Sequence, residues 1–227
     1  TFFQSIYLYN LASTDITQLT SELTNDWAPT WDPDGKYLYF FSDRNLNPSL
    51  GTFDFTYNYH RTTGIYLVTL QKDTLNPFKP KSDEVKVGAD EEADTGEEDQ
   101  ETKQTPPMQI DFEGIRGRMV RVPVDADNYR SLHASSGALF YVSYPTEGLG
   151  GKVEPIEPAL HGFDMEKRED IEMAESVDNY DISPDKKHLI YKKNSDFYIV
   201  EAKPEKISEA KALDLSELKA KVDYQAE

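Results

Sequence analysis

Cysteine is absent from the 227 residues of the chain, and this absence excludes several kinds of chemistry. Without cysteine there is no disulfide framework, no thiolate nucleophile and no cysteine-ligated zinc site. No apolar run approaches the length of a transmembrane helix. The residues do not decide between a periplasmic and a cytoplasmic location, although the periplasm is slightly favoured.

Basic residues are scarce: 24 Lys and Arg stand against 42 Asp and Glu, which leaves a net charge of −18. An acidic chain of this kind is a poor partner for nucleic acid or for an anionic membrane. Ten acidic residues and one lysine fall within Asp83–Glu101, which contains no aromatic residue. This stretch repels itself and has little to bury, so a disordered or weakly ordered loop is predicted there.

Motifs for catalysis and cofactor binding are also missing. The chain contains no H-E-x-x-H, no G-x-S-x-G and no Walker sequence, and its four histidines do not have a metal-ligand spacing. We therefore predict that this segment contains no catalytic residue, no metal site and no cofactor.

The strongest signal that is present lies in Trp31–Arg44. Pro33 presets φ for a turn, Asp34 can bond to the backbone ahead of it, and Gly35 accepts a positive φ. The run Tyr37–Phe41 is apolar at every position, which predicts a strand that is covered on both faces. The stretch therefore predicts a β-hairpin within a buried sheet.

The same unit recurs in Asp181–Tyr191 and, in degenerate form, in Ser131–Ser143. Gly35, Gly137 and Lys186 take equivalent turn positions, separated by 102 and then by 49 residues. A step of 49 residues suits one four-stranded propeller blade, and a step of 102 suits a blade with long insertions.

The predicted fold class is therefore all-β: a β-propeller segment of about three four-stranded blades plus half a blade, with a disordered acidic insertion. Because the chain starts at Thr1 without Met or a signal peptide, we expect a processed product or a segment of a longer chain. The predicted boundaries are 1–24 for the second half of a blade, 25–124 for a blade with insertions at 45–63 (aromatic) and 71–107 (acidic), 125–176 for a blade, and 177–227 for a blade and an exit toward a following domain.

The outer strand of the last blade is ambiguous in sequence. Leu213, Leu215, Leu218 and Val222 fit a short helix, whereas Leu213–Leu215 fits a strand. We predict the strand, because a four-stranded blade needs one at that position.

Two features suggest contact with a ligand. The aromatic insertion forms either a wall of a substrate path or a loop that folds back onto a surface groove. Three arginines form a small basic patch that could hold a carboxylate such as a peptide C-terminus, unless each pairs with a local Asp or Glu. Together with two residues that end the first repeat, these are the candidate substrate-path or interface residues: Asp43, Arg44, Arg116, Arg118 and Arg121.

The stretch Pro29–Arg44 resembles the W-S-P-D-G-K-x-L-x-F-x-S-D-R repeat of TolB-type propellers. It departs from that repeat at Asp32, where Ser is usual, and the last copy departs at Lys186, where Gly is usual.

Other stretches resemble the second propeller of the tricorn protease family, namely Ile65–Leu70, Asn76–Phe78, Ile110–Ile115 and Val177–Asp181. The ending at 215–227 resembles the exit of that propeller toward the catalytic half. The resemblance covers nearly the whole chain except the acidic insertion.

This resemblance implies a part of a large, oligomeric serine peptidase with two propellers, a PDZ-like domain and two mixed α/β domains. The nucleophilic serine and its histidine lie after the propeller in that family, so no position here inherits them. The implied role is non-catalytic: to guide or gate peptide substrates toward a catalytic domain outside this chain. The implied partners are a peptide or polypeptide substrate, the remaining blades and catalytic domain of the parent chain, and further copies of the parent in a homo-oligomer.

Two alternatives stay open at the level of sequence. One is a self-contained TolB-like propeller that binds another protein. The other is the propeller of a prolyl-oligopeptidase-type hydrolase.

Overall fold

A computed structural model describes residues 3–46, 48–50, 55, 57–79, 108–148, 151–152 and 155–218. Apart from one 3₁₀ helix, Ile115–Arg118, the regular elements in these residues are strands. In chain order they are β1 Tyr7–Tyr9, β2 Ile16–Gln18, β3 Asp26–Trp31, β4 Tyr37–Ser42, β5 Pro48–Leu50, β6 Tyr57–Tyr59, β7 Gly64–Thr69, β8 Met119–Arg121, β9 Asn128–Ser135, β10 Ala138–Tyr144, β11 Glu147–Gly148, β12 Gly151–Lys152, β13 Ala159–Asp164, β14 Glu169–Glu175, β15 Asn179–Ile182, β16 His188–Lys193 and β17 Asp196–Glu201.

The strands form four main antiparallel sheets in chain order. Sheet 1 is the pair β1-β2, sheet 2 has the order β3-β4-β7-β8, sheet 3 has the order β9-β10-β13-β14, and sheet 4 has the order β15-β16-β17. The short hairpins β5-β6 and β11-β12 are inserted between the second and third strands of sheets 2 and 3. Consecutive up-and-down sheets of this kind are propeller blades, as the sequence predicts.

Each sheet packs face to face on the next. The sequence of β4 is apolar throughout because its alternate side chains enter two different cores. Leu38 and Phe40 belong to a core shared with sheet 1. Tyr39 and Phe41 belong to the core between sheets 2 and 3. Both phenylalanines are fully buried, and burial of one such side chain contributes about 1.5–3 kcal/mol. The predicted strand with two covered faces is confirmed.

The three equivalent turn positions share a positive φ, although the middle turn is shorter because Ser135 already pairs with Ala138. Gly35, Gly137 and Lys186 have φ of 70°, 72° and 60°. The turns are closed in the same way in the first and last copies, because the N–H of Gly35 donates to Asp32 O at 3.0 Å and the N–H of Lys186 donates to Ser183 O at 2.8 Å. The structure thus places the three positions in the register that the sequence predicts.

The first strands of sheets 2 and 3 both contain a β-bulge. In β3 the register shifts between Trp27 and Thr30, and the bulge contains Pro29, whose missing N–H suits a strand at the edge of a sheet. In β9 two residues, Ser131 and Leu132, oppose the single residue Tyr141. A bulge leaves main-chain groups without partners in the ladder.

Side chains from both neighbouring sheets donate hydrogen bonds to the main-chain carbonyls of the β9 bulge. The hydroxyl of Thr30 donates to Leu132 O at 2.8 Å, and the hydroxyl of Tyr180 donates to Ser131 O. These two contacts bring the first strands of sheets 2, 3 and 4 side by side.

The last sheet departs from the prediction. Instead of an outer strand at Leu213–Leu215, a single bridge joins Ala212 to Tyr198. The segment after β17 turns toward sheet 3, where Ile207 packs on the core and its N–H donates to Met173 O at 3.0 Å. The chain then returns to β17 only at this bridge, where the N–H of Leu213 donates to Phe197 O at 2.8 Å.

The acidic stretch Asp83–Glu101 lies outside the described residues. Within the part of the chain that is described, no helix has the length and apolar character needed to cross a membrane.

Candidate functional site

Asp43 and Arg44, two of the candidate residues, follow directly after β4 and bond to neighbouring strands. The carboxylate of Asp43 accepts from Thr63 Oγ1 at 2.6 Å and from Asn25 Nδ2 at 2.8 Å. The guanidinium of Arg44 donates to both oxygens of the buried Asp26, each at 3.1 Å. Both side chains therefore hold one end of sheet 2 together, and a substrate-path or interface role for them stays a prediction.

The three arginines of the predicted basic patch have separate partners. Arg116 donates to the main chain and side chain of Gln18 at 3.2 and 3.1 Å. Arg118 donates to main-chain carbonyls, including those of Thr69 and Leu70. Arg121 donates to the carbonyl of Val124 at 3.1 Å.

These partners are amide and carbonyl oxygens, so the described contacts match neither a shared anion site nor pairing with local carboxylates. Sequence reasoning placed the three arginines together because they are close in the chain. Their role as substrate-path or interface residues also stays a prediction.

The first strands of sheets 2, 3 and 4 form a continuous inner wall, which we define as β3, β9 and β15. Each is the edge strand of its sheet, so one edge of each has no partner strand among the described residues. Several side chains on the wall are exposed: Pro29, Trp31, Arg130, Asn179 and Asp181.

The two inserted hairpins lie on the same end of the stack. Both connect the second strand of a sheet to its third, and in an up-and-down sheet equivalent connections leave from the same end. On the aromatic insertion, Phe55, Tyr57 and Tyr59 are 74%, 66% and 54% exposed. Phe55 and Tyr57 are therefore largely in solvent, whereas the half-exposed Tyr59 also lines the cavity described next.

A cavity of about 270 Å³ lies where this insertion meets the inner wall. The end of the first hairpin, the start of β9 and the connection after β10 line it. Asn128 Nδ2 donates to Tyr144 O and Thr146 Oγ1, both at 3.3 Å, and so fixes that connection. The lining residues are Tyr59, His60, Asn128, Arg130, Tyr144, Pro145, Thr146 and Glu147. We call this the Arg130 pocket.

Comparison with known proteins identifies the family. The sequence profile of the tricorn protease second beta propeller domain matches residues 1–203. This chain belongs to that family. The family match and the stacked sheets together confirm the predicted fold class and the resemblance.

Individual relatives agree with this membership. A tricorn protease homolog from Saccharolobus solfataricus is 28% identical over 230 residues, which cover 99% of this chain and 20% of the relative. The tricorn protease of Thermoplasma volcanium is 25% identical over 213 residues, which cover 92% of this chain and 19% of the relative. The tricorn propeller segment thus spans about a fifth of the length of the curated relatives it matches.

A solved structure shows the same fold. The crystal structure of the tricorn protease superposes with a TM-score of 0.69 at 21% identity, and the match covers 95% of this chain and 20% of that one.

The tricorn propeller segment also contains a hydrogen-bonded chain that sequence reasoning missed. Ser143 Oγ lies 3.0 Å from His161 Nε2, and His161 Nδ1 lies 3.2 Å from both oxygens of Asp170. The atoms follow the order of a serine-hydrolase triad. The three residues come from β10, β13 and β14, and their spacing in sequence fits no catalytic motif.

Its surroundings favour a structural role. The buried Tyr141 stacks on His161 with ring centroids 5.4 Å apart and donates its hydroxyl to Asp170 at 2.7 Å. Burial, followed by the charge of Asp170, raises the pKa of Tyr141, which keeps this hydroxyl a donor. Asp170 thus joins two side chains across three strands, and we interpret the array as a clamp within sheet 3.

No group of three or more His, Asp or Glu in the described ranges is arranged to hold a metal ion. His133, on the inner wall, is half-buried, and burial lowers its pKa, with Asp181 acting in the opposite direction. Its ring packs edge-on against Tyr180 with centroids 5.2 Å apart.

Proposed function

We propose that this chain forms part of the wall of a path along which a tricorn-type peptidase guides or gates peptides toward a catalytic domain outside the chain. One observation carries the proposal. The bonds from Thr30 to Leu132 and from Tyr180 to Ser131 align three strand edges side by side.

The chemistry of these edges supports an extended peptide as the ligand. The outer edge of a terminal strand presents main-chain N–H and C=O groups without partners, and these match the main chain of a peptide. Trp31 offers apolar surface, whereas Arg130 and Asp181 offer opposite charges, so peptides of varied sequence can make weak contacts along the wall. Weak contacts suit a path, since a guided substrate has to leave it.

The partners follow from the same proposal. Cleavage is assigned to a domain beyond these residues, and the exposed end faces of the stack are assigned to the remaining blades of the parent protein and to its homo-oligomer. The family match favours this role over a self-contained protein-binding propeller and over a prolyl-oligopeptidase-type propeller.

A bulky group placed on the inner wall tests the proposal. Because the chain has no cysteine, Asn179→Cys introduces one thiol on β15, which is labelled with a polyethylene glycol maleimide in the peptidase of full natural length. The matched control is Glu172→Cys, an exposed position on β14, the outermost strand of sheet 3. The unmodified protein treated with the same reagent controls for thiols elsewhere.

The label at residue 179 is expected to slow hydrolysis of long peptides and to spare a short fluorogenic substrate, which passes an obstructed path more easily. The label at residue 172 is expected to leave both rates unchanged. Equal rates on long peptides for the two labelled variants would reject the path.

A further inference from the structure

We infer that the Arg130 pocket is a binding site for a carboxylate of a peptide. The inference deepens the proposed function and rests on it only for the peptide nature of the ligand.

Arg130 differs from the other six arginines of the chain. Those six donate to, or pair with, described residues: Arg44 with Asp26, Arg61 with Asp127, Arg116 with Gln18, Arg118 and Arg121 with main-chain carbonyls, and Arg168 with the carbonyls of Pro77 and Lys79. Among the described residues, none accepts a hydrogen bond from the Arg130 guanidinium or forms an ion pair with it. Within the described part of the chain, Arg130 is thus the arginine whose N–H donors remain available.

The guanidinium is nevertheless held in place. Its carbon lies 4.8 Å from the centre of the Tyr144 ring, a cation–π contact that orients the planar group without using its N–H donors. An arginine restrained in this way keeps its donor fork available, and that fork matches the two oxygens of a carboxylate.

The bulge in β9 accounts for the placement of Arg130. In a regular strand Arg130 would share a face with Leu132 and Ala134, which lie in the core between sheets 2 and 3, because side chains two residues apart point the same way. The extra residue at Ser131–Leu132 reverses this alternation. Tyr129 consequently enters the core, and Arg130 is turned out toward the cavity.

The nearby carboxylates leave the positive charge of Arg130 available. Asp127 pairs with Arg61 at 3.4 Å, and Asp178 pairs with Lys192 at 3.6 Å. Glu147 is exposed and lines the pocket, and its charge opposes a bound anion.

The shape of the pocket favours a peptide over a small inorganic anion. A volume of about 270 Å³ is larger than one carboxylate needs. The exposed Tyr59 and the ring of Tyr144 provide apolar walls for the side chain that flanks the carboxylate. One arginine opposite Glu147 also provides too little positive charge for a phosphate dianion.

Binding equilibria measured by isothermal titration calorimetry test the inference in the protein of full natural length. Cleavage is blocked beforehand with a serine-directed phosphonate, so the readout is independent of turnover. Three N-acetylated hexapeptides that share one apolar sequence are compared: one with a free C-terminus, one amidated, and one amidated but carrying an internal glutamate.

The free acid is expected to bind the unmodified protein roughly three- to tenfold more tightly than the amide. Arg130→Gln should remove that difference, and Glu147→Gln should enlarge it. Arg168→Gln, which changes an arginine held by the carbonyls of Pro77 and Lys79 at the other end of sheet 3, should leave it unchanged. If the internal glutamate restores tight binding, the ligand is any peptide carboxylate; if it does not, the pocket takes the C-terminus.

Equal affinities for the acid and both amides, or the same loss in the Arg168 and Arg130 variants, would overturn the inference. Thermal melts of the two variants show whether each is still folded, which distinguishes a lost contact from a lost fold. Arg130→Lys keeps the positive charge and should retain part of the preference for the free acid. A failure of the blocking experiment on Asn179 would reject the path and leave this binding result intact.

Discussion

The hydroxyl of Tyr180 donates a hydrogen bond to the carbonyl of Ser131, a residue 49 positions earlier in the chain. That distance equals the step between the turns at Gly137 and Lys186. The acceptor belongs to the bulge of β9, so a main-chain group left out of one sheet is satisfied by the neighbouring sheet.

Tyr180→Phe is expected to lower the free energy of unfolding by about 1–2 kcal/mol, because it leaves the partly buried Ser131 carbonyl without its donor. Burial raises the pKa of Tyr180, so the hydroxyl is a donor throughout the pH range of ordinary measurements. Urea denaturation measures the change. Tyr144→Phe is the control, since the hydrogen bond from the Tyr144 hydroxyl to Asp178 O is exposed and 3.4 Å long. This change should lower the free energy of unfolding by less than Tyr180→Phe does. Equal losses would show that the inter-sheet bond adds nothing.

Gly35→Val is expected to destabilise the protein by about 1–3 kcal/mol, because a β-branched residue is strained at a φ of 70°. A clash of the Cβ with neighbouring residues is not the reason, since a Cβ at Gly35 meets only Met108 Cγ at 4.0 Å. Lys186→Gly should change stability by less than about 0.5 kcal/mol, because relief of the positive φ offsets the greater freedom of glycine in the unfolded chain. Thermal denaturation compares them, and effects of the same size would contradict a turn-specific strain.

Asp32 predicts a pH dependence. Burial raises the pKa of this carboxyl. The hydrogen bond from the N–H of Lys36 lowers the pKa, and the negative charge of Asp34 raises it, so that the net shift is upward. The folded state thus favours the protonated form, so the contribution of Asp32 is most favourable below the unfolded value of 3.8 and is lost as the pH rises through the folded pKa.

Asp32→Asn keeps an oxygen for the Lys36 N–H, which donates to the carboxylate at 3.0 Å, and removes the buried charge. It is expected to stabilise the protein at pH 7, by a margin that shrinks toward pH 3.5. The exposed Asp34→Asn should show a smaller effect. Stability curves for Asp32→Asn and the parent that stay parallel from pH 3.5 to 7 would contradict the assignment.

Ser143 is expected to have no nucleophilic role, so the 227-residue chain should hydrolyse no peptide. Ser143→Ala should lower stability by about 0.5–1.5 kcal/mol through loss of the bond to His161. A fluorophosphonate probe followed by peptide mass mapping checks the nucleophile directly. Labelling of Ser143 that disappears in His161→Gln would show that the array is reactive and that the clamp interpretation is wrong.

The end faces of the stack predict self-association of the 227-residue chain. Tyr7, Tyr9 and Ile16 are more than half exposed on sheet 1, and Ile190 and Ile199 are 38% and 50% exposed on sheet 4. Apolar surface and strand edges of this kind drive association.

Sedimentation velocity should therefore detect oligomers or aggregate for the chain. Ile199→Lys should reduce them, whereas Leu23→Lys, in a loop where the leucine is 84% exposed, should not. A monomer with a cooperative, high melting transition would contradict this prediction.

Local patterns made much of the fold predictable from the sequence. The turn at Gly35 follows from Pro33 and Asp34, and the doubly covered strand β4 follows from its unbroken apolar run. The equivalence of Gly35, Gly137 and Lys186 could be found because each turn is specified by a few adjacent residues. The prediction of an outer strand at Leu213–Leu215 was wrong. The path of the preceding segment depends on contacts of Ile207 with another sheet, and the local sequence does not reveal them.

The candidate site was decided by tertiary structure. Arg116, Arg118 and Arg121 are close in sequence, yet each bonds to a different segment. Arg130 faces the cavity only because a bulge of one residue reverses the alternation of β9, and the sequence of β9 contains no signal for that bulge. Ser143, His161 and Asp170 meet because three strands of one sheet lie in a particular register. Turn chemistry acts over a few adjacent residues and can be read along the chain, whereas the register between strands is set by packing across the sheets.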